Sequence, residues 1–227
     1  MNTRSHLTIR SSGHFCAAKM SAGAQVLEIK MKNIEKSSGW GNDVLYQMCR
    51  DAPRHNDIDK IAGKIWLIGR AYSASIERKA GKKMIKGKDF YKDIVAPAIK
   101  NSDIDQWIDS VKDISRVTRE NIHPVLFAHK KLTDLFLKIS TVEKRSLASK
   151  YLHFHQPKAF FIFDSIANKK IRKLTRCIKQ RFDVPKQYDY EYSAFVYRCL
   201  YYRDNIFENK IRKNTSPRTL DRFLIGY

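Results

Sequence analysis

The sequence predicts an all-α protein, a compact helical unit of two lobes. Glycine is scarce, with 9 in 227 residues, and no alternation of apolar and polar residues is sustained long enough to predict a strand. Apolar residues instead recur at helical spacing, most clearly over residues 57–79. We therefore expect residues 38–227 to fold as the helical unit, preceded over residues 1–37 by a flexible, basic N-terminal extension.

The same periodicity predicts the other helices in order. A turn is expected around Gly39, with helices near 90–100 and 103–115. Pro124 suits the first turn of a helix running to Ile139. Further helices are expected over 165–182 and 190–207, and Ser216 is a good N-cap for a last helix that begins at Pro217.

The charge balance indicates a polyanionic partner. The chain has 44 Lys and Arg against 23 Asp and Glu, a formal net charge of +21. Such an excess favours nucleic acid, and no apolar run long enough to cross a membrane competes with that interpretation. We expect double-stranded DNA as the partner and no membrane association.

The four cysteines predict neither a metal site nor a disulfide framework. Cys16, Cys49, Cys177 and Cys199 are widely scattered and contain no closely spaced pair. With no recognisable signal peptide, this usage favours a reducing, cytoplasmic compartment. We expect no cofactor and no metal, and we expect His129, His153 and His155 to be structural or surface residues.

Residues 145–174 are the most informative part of the chain. A short amphipathic helix ends at Pro157, and the apolar run 159–163 then leads directly into Asp164. A second helix begins at once, and residues 165–182 hold seven Lys or Arg and no acid. One carboxylate is thus expected at a buried-to-exposed transition, at the start of a very basic helix.

This arrangement, over residues 140–182, resembles the helix–hairpin–helix DNA glycosylases. R-S-L-A-S-K-Y-L is similar to the second helix of that family's hairpin, and F-I-F-D-S-I-A is similar to its aspartate turn. Ser146, at the family's lysine position, precedes Asp164 by 18 residues, which suits the family spacing. The hairpin reads S-T-V-E-K where the family has Leu-Pro-Gly-any-Gly, and Lys144 could replace the phosphate-binding role of the missing glycines.

The resemblance implies hydrolysis of an N-glycosidic bond, with Asp164 as the catalytic carboxylate. A carboxylate can stabilise the positive charge that develops on the sugar and can orient a water molecule. Asp164 is equally suited to cap the following helix, and both roles can hold together. Ser146 cannot form a Schiff base, whereas the amine of Lys150, one helical turn later, either reaches the sugar or grips a phosphate.

Two basic strips are candidate phosphate contacts. The first lies on the helix after Asp164 and the second in the loop between Gly81 and Gly87. Lys144 and Arg145 in the hairpin could add to the first strip. The candidates for nucleic-acid binding are Lys144, Arg145, Lys169, Arg172, Lys173, Arg176, Lys82, Lys83 and Lys86.

An enzyme that acts on a base must hold it, unstacked, between apolar faces. The candidates for such a base pocket are Trp66, Tyr72, Trp107, Phe127 and Phe154, each of which could equally be a core residue.

Two alternatives remain open from the sequence. One keeps the fold without catalysis, as a helical DNA-binding module. The other is a ribonuclease of the helical HEPN type, whose R-x4-H motif has a formal match at Arg50 and His55. Pro53 lies inside that match and opposes the helical setting that the motif needs.

Overall fold

The computed structural model describes residues 39–79, 87–178, 184–211 and 214–226. Within these ranges every regular element is helical, so the predicted all-α class is confirmed. The expected N-terminal extension over 1–37 lies outside the described residues, and the two-lobed division stays a prediction.

The first half of the described chain holds five α-helices. They are α1 (Trp40–Asp51), α2 (Ile58–Ala71), α3 (Ala96–Lys100), α4 (Ile104–Asp109) and α5 (Ile122–Ser140). A π-helical turn, Phe90–Val95, leads into α3, and its Asp89 cap accepts hydrogen bonds from the backbone N–H groups of Tyr91 and Lys92.

The second half carries the segment singled out in the sequence. Its helices are α6 (Arg145–His155), α7 (Ser165–Leu174), α8 (Tyr190–Tyr202), α9 (Glu208–Ile211) and α10 (Pro217–Ile225). A π-helical turn, Arg203–Phe207, joins α8 to α9. As predicted, the Ser216 side chain caps α10, accepting a hydrogen bond from the Thr219 N–H at 3.1 Å.

Four predicted boundaries were wrong. The helix expected near 103–115 ends at Asp109. The turn expected around Gly39 is the start of α1. The helix expected over 57–79 ends at Ala71, because Ser73 takes a left-handed backbone conformation (φ 50°) that a right-handed helix cannot continue through. The basic helix expected to reach residue 182 ends at Leu174.

Helix α6 is buried over most of its length. It packs against α1, α2 and α5, while α7 packs against α8 and α10. The run 159–163 between α6 and α7 is buried throughout, and buried apolar residues from Leu45 to Leu224 form one connected core. The start of α7 is therefore held against the core by the apolar run that precedes it.

A short hairpin joins α5 to α6. Residues 141–144 connect the two helices, which pack on each other. Thr141 makes the turn with φ 61°, the left-handed conformation that glycine adopts without strain and other residues rarely adopt. The chain thus forms a helical hairpin without a glycine.

Candidate active-site and nucleic-acid-binding cleft

An open cleft of about 940 Å³ lies where α6 and α7 begin. One wall is the segment that follows α2, residues 72–75 with Arg78 and Lys79, and another is the hairpin with the first turn of α6. The third wall is the beginning of α7. The candidate catalytic residues Ser146, Lys150 and Asp164 all line this cleft.

Asp164 caps α7 and also lines the cleft. Its side chain caps α7, accepting a hydrogen bond from the Ala167 N–H at 2.7 Å. The residue is only half-buried and lies in the lining of the cleft. A carboxylate held by a cap in this way keeps a fixed position while remaining within reach of a ligand.

Two side chains of α6 fix the residue that precedes Asp164. The Phe163 N–H donates to the Ser149 hydroxyl at 2.9 Å, and the Phe163 carbonyl accepts from the Lys150 ammonium at 3.1 Å. Both backbone polar groups of Phe163 are therefore bound by the same helix. This double attachment sets where Asp164 emerges from the core.

Lys150 is a desolvated cation on the cleft floor. Its side chain is only 2% exposed, and its Nζ also donates to the Ser146 hydroxyl at 2.6 Å. Burial lowers the pKa of Lys150, and the nearby carboxylates of Asp164 and Asp221 oppose that shift. The ammonium also lies 5.6 Å from the centre of the Tyr72 ring, within cation–π range.

Asp221 interacts electrostatically with Asp164 and Lys150 without lining the cleft, and no sequence pattern indicated it. It comes from α10, is almost fully buried, and binds Arg218 at 2.7 Å. Burial raises its pKa to about 7, since the Arg218 charge lowers it only in part and the negative charge of Asp164 raises it further. No described residue forms a hydrogen bond with the Oδ1 atom of Asp221. We call Ser146, Lys150, Asp164 and Asp221 the cleft cluster.

The five aromatic candidates are divided among three places. Tyr72 lines the cleft, and the buried Phe154 ring packs behind it with ring centres 5.6 Å apart. Trp107 and Phe127 line a separate, smaller depression. Trp66 is exposed on α2, near Arg70. Tyr72 is thus the member of this set that faces the catalytic candidates.

The rim of the cleft is cationic. Lys169 and Arg172 on α7 and Arg78 and Lys79 on the opposite wall line it. Lys173 and Arg176 are exposed on or just after α7, outside the lining. Lys82, Lys83 and Lys86 lie outside the described residues.

The hairpin cations Lys144 and Arg145 are engaged within the protein. Lys144 donates to the backbone carbonyls of Ser75 and Arg78, which ties the hairpin to the opposite wall. The Arg145 guanidinium binds the three carboxylates of Glu143, Asp189 and Glu191, at 2.8–2.9 Å. The charge of Arg145 is thereby balanced before any phosphate approaches.

A second polar cluster lies in the core, and none of its residues lines the cleft. Lys64 of α2 is fully buried and donates to the Ala52 carbonyl at 2.9 Å, with the rings of His55 and His155 at 3.4 and 3.2 Å. The Tyr151 hydroxyl lies 2.8 Å from the His55 Nε2. We call Lys64, His55, His155 and Tyr151 the sealed cluster.

The HEPN candidates Arg50 and His55 differ sharply in environment. Arg50 is exposed on α1 and its guanidinium binds the Gln47 side chain. His55 is buried, and its Nδ1 lies 2.6 Å from an Asp105 carboxylate oxygen. Burial and the Lys64 charge lower the pKa of His55 to about 4 despite that carboxylate.

His129 and His153 are also interior residues, whereas His123 is exposed. The ring nitrogens of His129 and His153 contact the carbonyls of Arg145 and Phe160. Over the described ranges, no group of three His, Cys, Asp or Glu side chains could hold a metal ion. No helix in the same ranges is long and apolar enough to cross a membrane.

Comparison with protein-family models, with curated proteins and with solved structures finds no match to this chain.

Proposed function

We propose that this protein binds duplex DNA across the cationic rim of the cleft and hydrolyses the N-glycosidic bond of an extruded nucleotide. One observation carries the proposal: a half-buried carboxylate, Asp164, is fixed in a cleft with a cationic rim beside a desolvated lysine. A helical hairpin between α5 and α6 is what the resemblance to helix–hairpin–helix glycosylases implies there, whereas the missing glycines, which hold a phosphate in that family, stand against activity.

The cleft suits an extruded nucleotide in size and in chemistry. Its volume of about 940 Å³ is within the usual range for small-molecule sites. Tyr72 contributes an aromatic ring to the cleft lining, while Lys169 and Arg172 supply cations at the rim for a phosphate backbone. Asp164 stabilises the sugar cation as the bond breaks and orients the attacking water.

Lys150 acts in this proposal as a positioning residue. Its ammonium binds the Ser146 hydroxyl and the Phe163 carbonyl, so it holds the backbone just before Asp164. The attacking group is water, because Ser146 has no amine and the Lys150 amine is already committed to two acceptors.

The two alternatives raised by the sequence, a HEPN-type ribonuclease and a non-catalytic DNA-binding module, lack an observation that favours them in the same way. The His55 ring is buried and occupied at both nitrogens, which does not suit an acid or base that must reach an RNA substrate. A DNA-binding module without catalysis would use the same cationic rim. Measuring base release therefore distinguishes that module from an enzyme.

The test is single-turnover base release from a panel of damaged duplexes by the parent and by Asp164→Asn. Asparagine caps helices well, so the fold should survive. Loss of the negative charge should slow release by about 10²-fold or more. Asp57→Asn is the matched control, because Asp57 caps α2 in the same way but is absent from the cleft lining.

Each outcome has a distinct meaning. Equal rates for the parent and Asp164→Asn would reduce Asp164 to a helix cap. Salt-sensitive duplex binding without base release by the parent would identify the non-catalytic module. An affinity for duplex DNA that does not change between low and moderate salt would contradict the nucleic-acid proposal itself.

A further inference from the structure

Ser146 and Lys150 make a contact that suits a second kind of chemistry. The Lys150 Nζ lies 2.6 Å from the Ser146 hydroxyl oxygen, one helical turn away on α6. Such a pair is ordinary on the exposed face of a helix. Here the Lys150 side chain is only 2% exposed, whereas Ser146 is half-buried and lines the cleft. The pair therefore joins a hydroxyl in the cleft lining to a nitrogen that is almost withdrawn from water.

The surroundings of Lys150 allow it to act as a base. Its Nζ lies 3.1 Å from the Phe163 carbonyl oxygen. A neutral amine has two N–H bonds and one lone pair, so it can donate to that carbonyl while it accepts the Ser146 O–H. Burial lowers the pKa of Lys150 and so favours the neutral amine, although the carboxylates of Asp164 and Asp221 oppose that shift.

The start of α6 supplies donors for a developing negative charge. Ser146 is the second residue of this helix, and the Lys144 carbonyl accepts the first helical hydrogen bond, from the Ala148 N–H at 2.9 Å. The backbone N–H groups of the first turn precede every acceptor within the helix, and the Lys144 side chain does not cap them. N–H groups at a helix start stabilise an oxyanion that forms beside them.

We propose that Ser146 is a nucleophile, with Lys150 as its general base, and that the cleft hydrolyses a carboxylic ester that carries an anionic group. The inference goes beyond the proposed function and does not rest on it, because base release uses Asp164 and a water molecule. The carbonyl carbon of an ester is uncharged, so Asp164 repels it less than it repels a phosphodiester. The rim cations Lys169 and Arg172 attract the anionic group of the ester.

The reaction has two balanced steps. The Ser146 oxygen bonds to the carbonyl carbon as its proton passes to the Lys150 amine. The ester C–O bond then breaks, and the leaving alcohol oxygen takes the proton from the Lys150 ammonium. Water attacks the acyl-serine with Lys150 again as base, and the Ser146 oxygen recovers a proton as the acid departs. The sum is ester plus water giving acid plus alcohol, and both side chains return to their initial states.

The experiment compares two chromogenic esters on the full chain, p-nitrophenyl acetate and a derivative with a sulfonate on the nitrophenyl ring. Relative to its spontaneous hydrolysis, the sulfonated ester should be cleaved at least about fivefold better at low salt, and added salt should reduce that preference by screening the rim. Peptide mass spectrometry of acid-quenched protein should locate an acetyl group on Ser146.

Variants separate the pair from other reactive side chains. Ser146→Ala should lower turnover at least about 10²-fold, and Lys150→Met should have an effect of the same order, because the nucleophile or its base is lost. Ser165→Ala is the matched control, since Ser165 is an exposed serine of the same lining, and it should leave turnover unchanged. Ser146→Ala alone keeps the test decisive if Lys150→Met does not fold.

Turnover that survives in Ser146→Ala, or an equal loss in Ser165→Ala, would overturn the inference. Acetyl groups found only on lysines would do the same, as would faster cleavage of bis(p-nitrophenyl) phosphate than of either acetate. Base release from damaged duplexes without ester turnover would overturn this inference and leave the proposed function standing. Ester turnover through Ser146 without base release would support the inference while the proposed function fails.

Discussion

Two buried lysines, Lys64 and Lys150, occupy environments that differ in their access to the cleft. Both are desolvated, both have a lowered pKa, and both donate to a backbone carbonyl. Lys64 is enclosed by the rings of His55 and His155, whereas Lys150 lines an open cleft. Burial and a shifted pKa therefore do not identify an active site by themselves, and access to solvent and ligand decides between a structural and a chemical role.

The buried histidines and Asp221 respond to acid in opposite directions. Burial lowers the pKa of His55, His129 and His153 to about 4, and that of His155 well below its usual range. Between pH 6.5 and 4 the unfolded chain binds protons that these rings exclude, so their contribution to stability is complete above pH 6.5 and is lost on acidification. Asp221, with a pKa of about 7, binds a proton in the folded state first and adds stability as the pH falls.

The largest predicted effect follows from this imbalance. Near pH 5 the unfolded state holds a net excess of about three protons from these groups, so the free energy of unfolding should fall by ~4 kcal/mol per pH unit. At that slope, an ordinary free energy of unfolding would be lost within a few pH units. Urea unfolding at pH 7, 6 and 5 measures it.

Variants of each cluster sharpen the pH experiment. His155→Gln should make the dependence shallower, because one excluded proton disappears. Asp221→Asn should make it steeper, because the opposing contribution is removed. If neither variant changes the pH dependence of the unfolding free energy, the opposite contributions assigned to the histidines and to Asp221 are wrong.

The next effect compares the same substitution at the two lysines. Lys64→Ala leaves a cavity and an unsatisfied Ala52 carbonyl in a sealed site, so it should cost about 2–4 kcal/mol of unfolding free energy. Lys150→Ala should cost less, about 1–2 kcal/mol, because water entering from the cleft can satisfy the Phe163 carbonyl. Urea unfolding at pH 7.5 measures both, and equal losses would show that the cleft floor is as dry as the core.

The chemistry of the cleft lysine can be tested independently of stability. We expect no covalent adduct when the parent is treated with borohydride in the presence of substrate DNA, together with base release that leaves an intact abasic strand. This result follows from attack by water at a site held by Asp164. A trapped adduct that disappears in Lys150→Ala would show instead that the amine is the nucleophile.

The smallest effect concerns the rim cations. Lys169→Gln and Arg172→Gln should each reduce the magnitude of the log–log salt slope of duplex binding by about 0.9. Lys60→Gln is the matched control, since Lys60 is exposed on α2 one turn before Lys64 and is absent from the cleft lining. If Lys60→Gln reduces the salt slope as much as the rim variants do, the DNA contact extends beyond the cleft.

Local sequence patterns predicted those parts of the site that neighbouring residues create. The apolar run 159–163 and the carboxylate after it predicted both the buried segment and the cap at Asp164, because capping is a contact across three residues. Serine followed by proline predicted the start of α10 for the same reason. The helix α1 was missed, since Gly39 and its polar neighbours resemble a turn.

Contacts between distant segments were not predictable in this way. Arg145 was a candidate phosphate ligand, yet Asp189 and Glu191, more than forty residues later, balance its charge. Asp221 joins the cleft cluster from a helix that begins more than fifty residues after Asp164. Phe154 and Tyr72 both matched a base pocket by residue type, and burial alone separates them.

The sequence by itself determined the helical class, the strong positive charge and the position of Asp164 at a helix start, because periodicity, composition and capping depend on neighbouring residues. Only the tertiary structure decided which of two buried lysines opens into a cleft and which cations remain available at its rim. Desolvation, ion pairing and access depend on segments that the chain brings together from far apart, and no local pattern records them.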